Sequence, residues 1–342
     1  MKYLLPILLL SIGFVSCERD EDPNRISVSD LYKDFKVMES LDSEGLDSID
    51  FEQKQNTFFT AEFNKPIIWE LSVTGDKSGA QKIISGFSNE LNEVNAVWDG
   101  STTRFPMFKS GESCSVELSL PKEDTTLVLD KSITIEKAKV DEGVIIADFE
   151  NGNKYRDDWD WFFQSGVSFF NLKSTKNAAQ GKYYYKMFGE CDWDWLVGMI
   201  HIPDTSDISN VPGTNKEYKP FGLSSDPENL YFNVLLNVRE ENAVLLINFK
   251  EDDNMDGVYD ADNEDEYTIW LEGLEPGWQL ISRKYSDLTA GGENESTPKG
   301  NGMRNPESLK IIDVLLLANP TSGPTRVDMD YMIFTEDEPL KP

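Results

Sequence analysis

From residue 144 to residue 335 the chain repeats one device, and that repetition limits its fold more than any other feature. Short apolar or alternating runs recur at 144–149, 182–188, 195–201, 230–238, 244–249, 266–271, 278–285, 309–317 and 326–334. Each has the length of a strand, and long connections rich in Gly, Pro, Asn and Asp separate them. No run carries a convincing helical period. Strands of this kind bury their apolar faces only by stacking one sheet on another. The expectation for 143–338 is a β-sandwich of the jelly-roll type.

A smaller unit of the same class precedes it at 57–137, which makes the chain all-β with two domains. Ile67, Trp69, Leu71 and Val73 alternate with polar neighbours, and "TGDKSG" supplies a turn. "KIISGFS", "AVWDGST", "SCSVELSLP" and "TLVLDKSITIEKA" continue the pattern as a small antiparallel sandwich. Trp69 and Trp98 are assigned to core or turn packing. The order "WELSVTGDKSGAQKIISG … VWDG … FKSGE" is similar to the immunoglobulin-like domain of flagellar-hook-cap type, a common spacer. "KAKVDEG", 137–143, is the charged joint.

The first seventeen residues belong to neither domain. Lys2 gives a positive head, and the apolar stretch from Tyr3 to Val15 is too short to span a bilayer as a helix, so 1–17 reads as an export signal. Ser16 followed by Cys17 resembles a bacterial lipoprotein cleavage box, which implies that Cys17 carries the lipid anchor. Residues 18–56 read as an acidic tether with a short helix near 28–38. Their opening run, Glu18-Arg19-Asp20-Glu21-Asp22, is similar to signals that send lipoproteins to the cell surface in Bacteroidota-type bacteria. Cys114 and Cys191 remain, in different domains and without metal spacing. Cys114 is in phase with Val116, Leu118 and Leu120 and reads as a small buried residue.

A formal charge of −30, from 62 Asp and Glu against 32 Lys and Arg, excludes nucleic acid as a partner, because polyanions need cationic patches. Catalytic sets are equally hard to find. His201, the single histidine, lies between Ile200 and Ile202, with no Gln two positions upstream as in jelly-roll lyases, so it reads as structural or exposed. There is no Gly-x-Ser-x-Gly turn, and no Glu-x-Asp-x-x-Glu strand of the laminarinase kind in the sandwich.

Aromatic residues are the better clue. Trp159-Asp160-Trp161 and Trp193-Asp194-Trp195 each place two indoles at i and i+2 around a carboxylate. In an extended segment both indoles leave one face of a sheet. The flat C–H face of a sugar stacks on indole, while its hydroxyls need polar partners at the rim. Tyr155, Arg156, Asp160 and Asp194 stand beside the pairs as such partners. Trp278, after "EPG", is a secondary candidate, and Arg304 in "NGMRNPES" a candidate hydroxyl donor. Trp270 is assigned to packing.

The stretch "EDDNMDGVYDADNEDE", 251–266, carries the front half of a calcium loop. Asp252, Asn254, Asp256, the Val258 carbonyl and Asp260 fill the first five ligand positions, with Gly257 at the sharp turn. Position twelve is Asn263 rather than Glu, and the flanks are strands, so the expectation is a structural Ca2+ hairpin rather than a switch. A solvated acidic turn is the alternative.

"IIADFENG", "GKYYYKMFGECDWDWLVGMI" and "VDMDYMIF" resemble galactose-binding-like carbohydrate-binding domains. That resemblance implies a second structural calcium, at Asp148, Glu150 and Asp330. Taken whole, the chain resembles a surface glycan-binding lipoprotein of a Bacteroidota-type polysaccharide-utilisation system. The resemblance implies an outer-membrane, cell-surface protein, lipid-anchored and non-catalytic. It would capture a neutral polysaccharide, a β-glucan such as laminarin, for a starch-utilisation-type importer and its lid lipoprotein. Two other classes stay open: a jelly-roll lyase or glycoside hydrolase, and a structural or adhesive lipoprotein with no sugar ligand.

Overall fold

The computed structural model describes residues 34–45, 48–150, 160–163, 169–174, 177–191, 195–203, 221–240, 242–291, 298–318 and 323–342. Cys17 and the first part of the expected tether, 18–33, lie outside them. Among the described residues the helical elements are single 3-10 turns at Tyr285–Asp287 and Pro306–Ser308, and everything else regular is strand.

The first domain holds β1 (Val37–Glu44), β2 (Ser48–Asp50), β3 (Thr57–Gly75), β4 (Gln81–Leu91), β5 (Val97–Trp98), β6 (Glu112–Leu120), β7 (Thr125–Val128) and β8 (Ile133–Lys137). The sheet runs β1-β3-β6-β8-β2, with β4 and β5 also on β3 and β7 on β6. The long β3 serves both ends: residues near Phe58–Phe63 pair with β1, and Glu70–Gly75 pair with β6. The sheet therefore curls over its own buried face. Trp69 and Trp98 are buried there, as their assignment to core or turn packing expects. Gly86 is required opposite Trp69, because a Cβ at Gly86 would stand 2.4 Å from the indole.

The structure differs from the expectation for 18–56. β1 and β2 fall inside the segment read as tether, and the described part of the expected helix is extended. Only Leu41, Ser43, Ile49 and Phe51 are buried in β1, β2 and the turn that follows. So sparse an apolar pattern is invisible until β3 and β8 supply the partner edges.

The second domain begins with β9 (Val144–Ala147) and continues through β10 (Asp160–Phe163), β11 (Phe169–Ser174), β12 (Tyr183–Gly189) and β13 (Leu196–Pro203). It ends with β14 (Leu230–Val238), β15 (Val244–Glu251), β16 (Glu266–Leu271), β17 (Gly277–Lys284), β18 (Thr289–Ala290), β19 (Leu309–Leu317) and β20 (Thr325–Glu336). One sheet has the order β10-β13-β19-β15-β16-β18; the other has β11-β12-β20-β14-β17, with β9 on β20. All pairs in both are antiparallel. Between the sheets Phe232 meets Phe249 and Phe334 edge-on, at 4.9 and 5.3 Å between ring centroids. Each such buried side chain contributes about 1.5–3 kcal/mol relative to exposure. Cys114 and Cys191 are both buried and outside any disulfide.

The joint is packed. Phe105 and Met107 of the first domain contact Leu235, Tyr331 and Ile333 on the outer face of the β14–β20 sheet. Met107 N–H donates to Ala179 O at 2.7 Å, and Thr102 N–H to the Pro342 carbonyl at 2.6 Å.

Candidate functional site

The outer face of the β10–β18 sheet carries two neighbouring rows across its strands. Register places Asp160, His201, Asp313, Asn248 and Thr268 side by side. Two residues along, it places Phe162, Met199, Leu315, Leu246 and Trp270 side by side. Because strand side chains alternate between faces, one row of hydrogen-bonding groups thus adjoins one apolar row. Their opposite-face neighbours, Ile200, Ile312, Ile247 and Tyr267, are buried in the core.

The polar row is held rigidly. Buried Asp313 has His201 Nδ1 at 2.7 Å on one oxygen and Lys250 Nζ at 2.5 Å on the other. Burial pushes the Asp313 carboxyl up, but His201 and Lys250 outweigh it and hold it below the usual carboxylate range. The Thr268 hydroxyl sits 2.6 Å from Gly291 O and 3.1 Å from Asn248 Oδ1. Burial raises the neighbouring Glu266 carboxyl, partly offset by Lys250.

The apolar row ends in aromatics. Phe162 is 43% and Trp270 50% exposed, and Trp195, just before β13, is 51% exposed. Between them Leu246, Leu315 and Leu317 form a satellite cluster with Leu196, Met199 and Val244. Flat hydrophobic rims beside fixed donors and acceptors match the two faces of a sugar.

The sequence-level candidates distribute unevenly. Tyr155, Arg156, Trp159, Trp193 and Asp194 lie outside the described residues. Asp160 is opposite His201 in register, and Trp161 is opposite the buried Ile200. Trp195 borders the face just described. Trp278 lies on the other sheet, where its Nε1 donates to Asn177 O at 2.8 Å and its ring meets Tyr184 edge-on. The Arg304 guanidinium stacks 4.9 Å from the ring centroid of buried Tyr267 and donates to Leu288 O, while its buried Nε has no hydrogen-bond partner among the described residues. Trp270 is corrected from packing to exposure. Sequence reasoning did not single out Asp313, Lys250, Asn248 or Thr268; the legible signal was an acid in the middle of the apolar run "LKIIDVLLL".

The acidic hairpin flanks the same face, since Lys250 Nζ lies 5.5 Å from the Tyr259 ring centroid. Gly257, with φ +93°, takes the sharp turn. Asp252, fully buried, accepts from Asp256 N–H at 3.1 Å and Gly257 N–H at 2.7 Å. Glu264 turns inward and accepts from Asp260 N–H at 2.7 Å, so it rather than Asn263 closes the loop. Asp265 faces the other way, accepting from Gly300 and Gly302 at 2.7 Å each. Burial pushes the neighbouring Glu251 up to about 8, with hydrogen bonds from Asn305 and Tyr285 opposing it. Among the described residues no group of three or more His, Cys, Asp or Glu is arranged as a metal centre. Asn254 Oδ1 accepts from Asp256 N–H at 2.8 Å and Asp256 Oδ1 from Val258 N–H at 3.0 Å, so these side-chain oxygens hold the turn's own backbone.

The second expected calcium position has a tighter build. Glu150 Oε1 accepts from Lys182 and Tyr183 N–H at 2.7 and 2.8 Å, and Asp330 Oδ2 from Gln180 N–H at 2.9 Å. Burial raises the Asp330 carboxyl well above its ordinary value. The buried Gln180 Oε1 has no hydrogen-bond partner among the described residues. A Cβ on Gly181 would stand 2.4 Å from the Glu150 carboxylate. These oxygens are thus engaged by backbone N–H groups, and Asp148, Glu150 and Asp330 form no metal-holding group among the described residues.

No family model matches the chain, and no curated protein matches it. Solved structures similar to the chain include carbohydrate-binding modules. The family 11 module of the cellulosomal cellulase Lic26A-Cel5E of Clostridium thermocellum is similar at 12% identity, over 58% of this chain and 96% of that one, with a TM-score of 0.36. A family 30 module of the cellulosomal cellulase Cel9D-Cel44B of the same organism is similar at 14% identity, over 58% and 99%, with a TM-score of 0.36. SGBP-B from a complex xyloglucan utilization locus in Bacteroides uniformis is similar at 12% identity, over 88% and 73%, with a TM-score of 0.35.

Proposed function

We propose that this protein is a non-catalytic polysaccharide-binding protein that captures a neutral glycan on the outer face of the β10–β18 sheet. The observation that carries the reading is the pairing of the two rows. A sugar ring lying across the strands meets Trp270 or Phe162 with its C–H face and the solvent-reaching His201 with a hydroxyl. The binding is weak per ring, and avidity along a polymer supplies useful affinity. On this reading Cys17 anchors the chain by lipid to the outer membrane at the cell surface. The captured glycan, a β-glucan such as laminarin, is handed to a starch-utilisation-type importer and its lid lipoprotein. Calcium at the 252–264 hairpin and at Asp148, Glu150 and Asp330 is structural, holding long connections still beside the sheet.

Affinity gels containing laminarin, mixed-linkage glucan or xyloglucan test the reading: retardation by one of them, lost in Trp270→Ala with Trp195→Ala, is expected. Retention by none of a broad neutral panel overturns it. The His201–Asp313 pair favours depolymerisation as the second reading, since a carboxylate orienting a histidine is a general-base arrangement. Reducing ends released from any retained glycan, and lost in His201→Ala, would establish that reading instead.

A further inference from the structure

The opposite outer face, on the β11–β17 sheet, holds a different arrangement, independent of the neutral-glycan face. Across β17, β14, β20 and β12, register aligns Trp278, Asn237, Asp328 and Lys186. The fully buried Asp328 carboxylate accepts two bonds from Arg326, at 2.8 and 2.9 Å, and one from Arg239 Nε at 3.2 Å. Two guanidiniums thus converge on one carboxylate and leave a positive charge over in a chain of formal charge −30. Both reach solvent, with side chains 40% (Arg239) and 27% (Arg326) exposed. Arg326 Nη2 also donates to the Tyr184 hydroxyl at 3.1 Å, and Tyr184 meets Trp278 edge-on.

One polar group there has nothing to do. Asn237 is 3% exposed, and its Oδ1 has no hydrogen-bond partner among the described residues. A buried amide oxygen is rarely left unsatisfied, so this one awaits a donor. The first domain covers the adjoining Leu235–Ile333 part of the face through Phe105 and Met107, beside Trp278.

We propose that this corner is a second glycan site, specific for a uronic acid residue. Its carboxylate pairs with the outward N–H groups of Arg239 and Arg326, geometry that guanidinium suits and hydroxyl-only sugars cannot use. A ring hydroxyl donates to Asn237 Oδ1, and the ring rests against Trp278 and Tyr184. The protein would then read an acidic sugar on one sheet and a neutral backbone on the other.

The test uses the mature full chain, with oligogalacturonides and their fully methyl-esterified forms as probes, followed by calorimetry. The free acids should bind, and affinity should fall by about tenfold or more on esterification, since a charge-assisted pair is lost. Arg239→Gln, which gives up one bond to the buried Asp328 carboxylate, should cause the same loss with a modest drop in the melt and unchanged neutral-glycan retention. Arg326→Lys, which keeps the charge and removes the fork, should weaken binding too. Equal binding of acid and ester, no binding of the acids, or loss in Trp270→Ala but not in Arg239→Gln would each overturn the proposal.

Discussion

His201 Nδ1 stands 2.7 Å from Asp313 Oδ1, and the carboxylate between His201 and Lys250 is buried while both of its partners reach solvent. A fixed anion thereby aims two donors outward from the middle of a sheet. Asp313→Asn should lower glycan affinity by about tenfold and also destabilise the fold by about 1–3 kcal/mol, because it releases both donors at once. His201→Ala removes one donor only. It should lower affinity with little change in the melt, and titration calorimetry beside a thermal scan separates the two effects.

Trp270 and Trp195 are half exposed, so their truncation removes contact area from a ligand rather than from the core. Trp270→Ala and Trp195→Ala should each weaken glycan binding by about 0.5–1.5 kcal/mol, the worth of a stacked ring, and leave stability within about 0.5 kcal/mol. Affinity electrophoresis and a melt on the same samples check both. Unchanged retention in the double variant would remove this face from consideration.

Much of the second domain is legible because its strands are self-contained signals. Leu230–Val238, Glu266–Leu271 and Leu309–Leu317 are apolar or alternating runs closed by turn residues, and they form where the pattern places them. β10, β11 and β18 carry no such signal and exist through their partners. The site is less legible for a related reason. Trp270 is one position out of phase with Tyr267 and Ile269, so strict alternation already sends it to the solvent face. Asp313 is readable only as an acid in an apolar run, and its meaning depends on His201 and Lys250, each brought to it by long-range strand pairing. Arg304 shows the converse, a loop arginine whose packing on Tyr267 has no local signature.

If the hairpin holds calcium as proposed, its removal should act on stability first. Asp252, Asp265 and Glu264 are buried around the hairpin, and a bound cation offsets the repulsion that their burial concentrates. A chelator should lower the thermal midpoint, consistent with about 2.7 kcal/mol of linkage at a hundredfold excess over Kd. Asp252→Asn should remove most of that response, and glycan affinity should change less than stability. Loss of affinity with an unchanged midpoint would instead put calcium in contact with the sugar.

The first domain offers a test of close packing. Gly86 faces the buried indole of Trp69, and an added Cβ would meet ring atoms at 2.4 and 2.8 Å. Gly86→Ala should therefore cost about 1–3 kcal/mol, read as a lower urea midpoint with an unchanged slope. Glycan affinity, carried by the other domain, should not move.

Asp141, in the joint between the domains, gives a pH dependence with a definite sign. Burial pushes its carboxyl up to about 6 from an ordinary value of 3.8, with Lys139 and a hydrogen bond to Tyr331 opposing the shift. The folded state therefore holds this proton more tightly than the unfolded chain does. Its stabilising contribution is complete below the unfolded value and is lost as pH rises through the folded one, so stability attributable to Asp141 falls between about pH 4 and pH 6. The full difference is about 3 kcal/mol at most. Asp141→Asn keeps the neutral shape and removes the titration. Urea midpoints measured across that window should fall less steeply with rising pH in the variant than in the parent, and the variant should be the more stable of the two near neutrality. Parallel pH profiles would mean that the carboxyl at this joint is already solvated when folded.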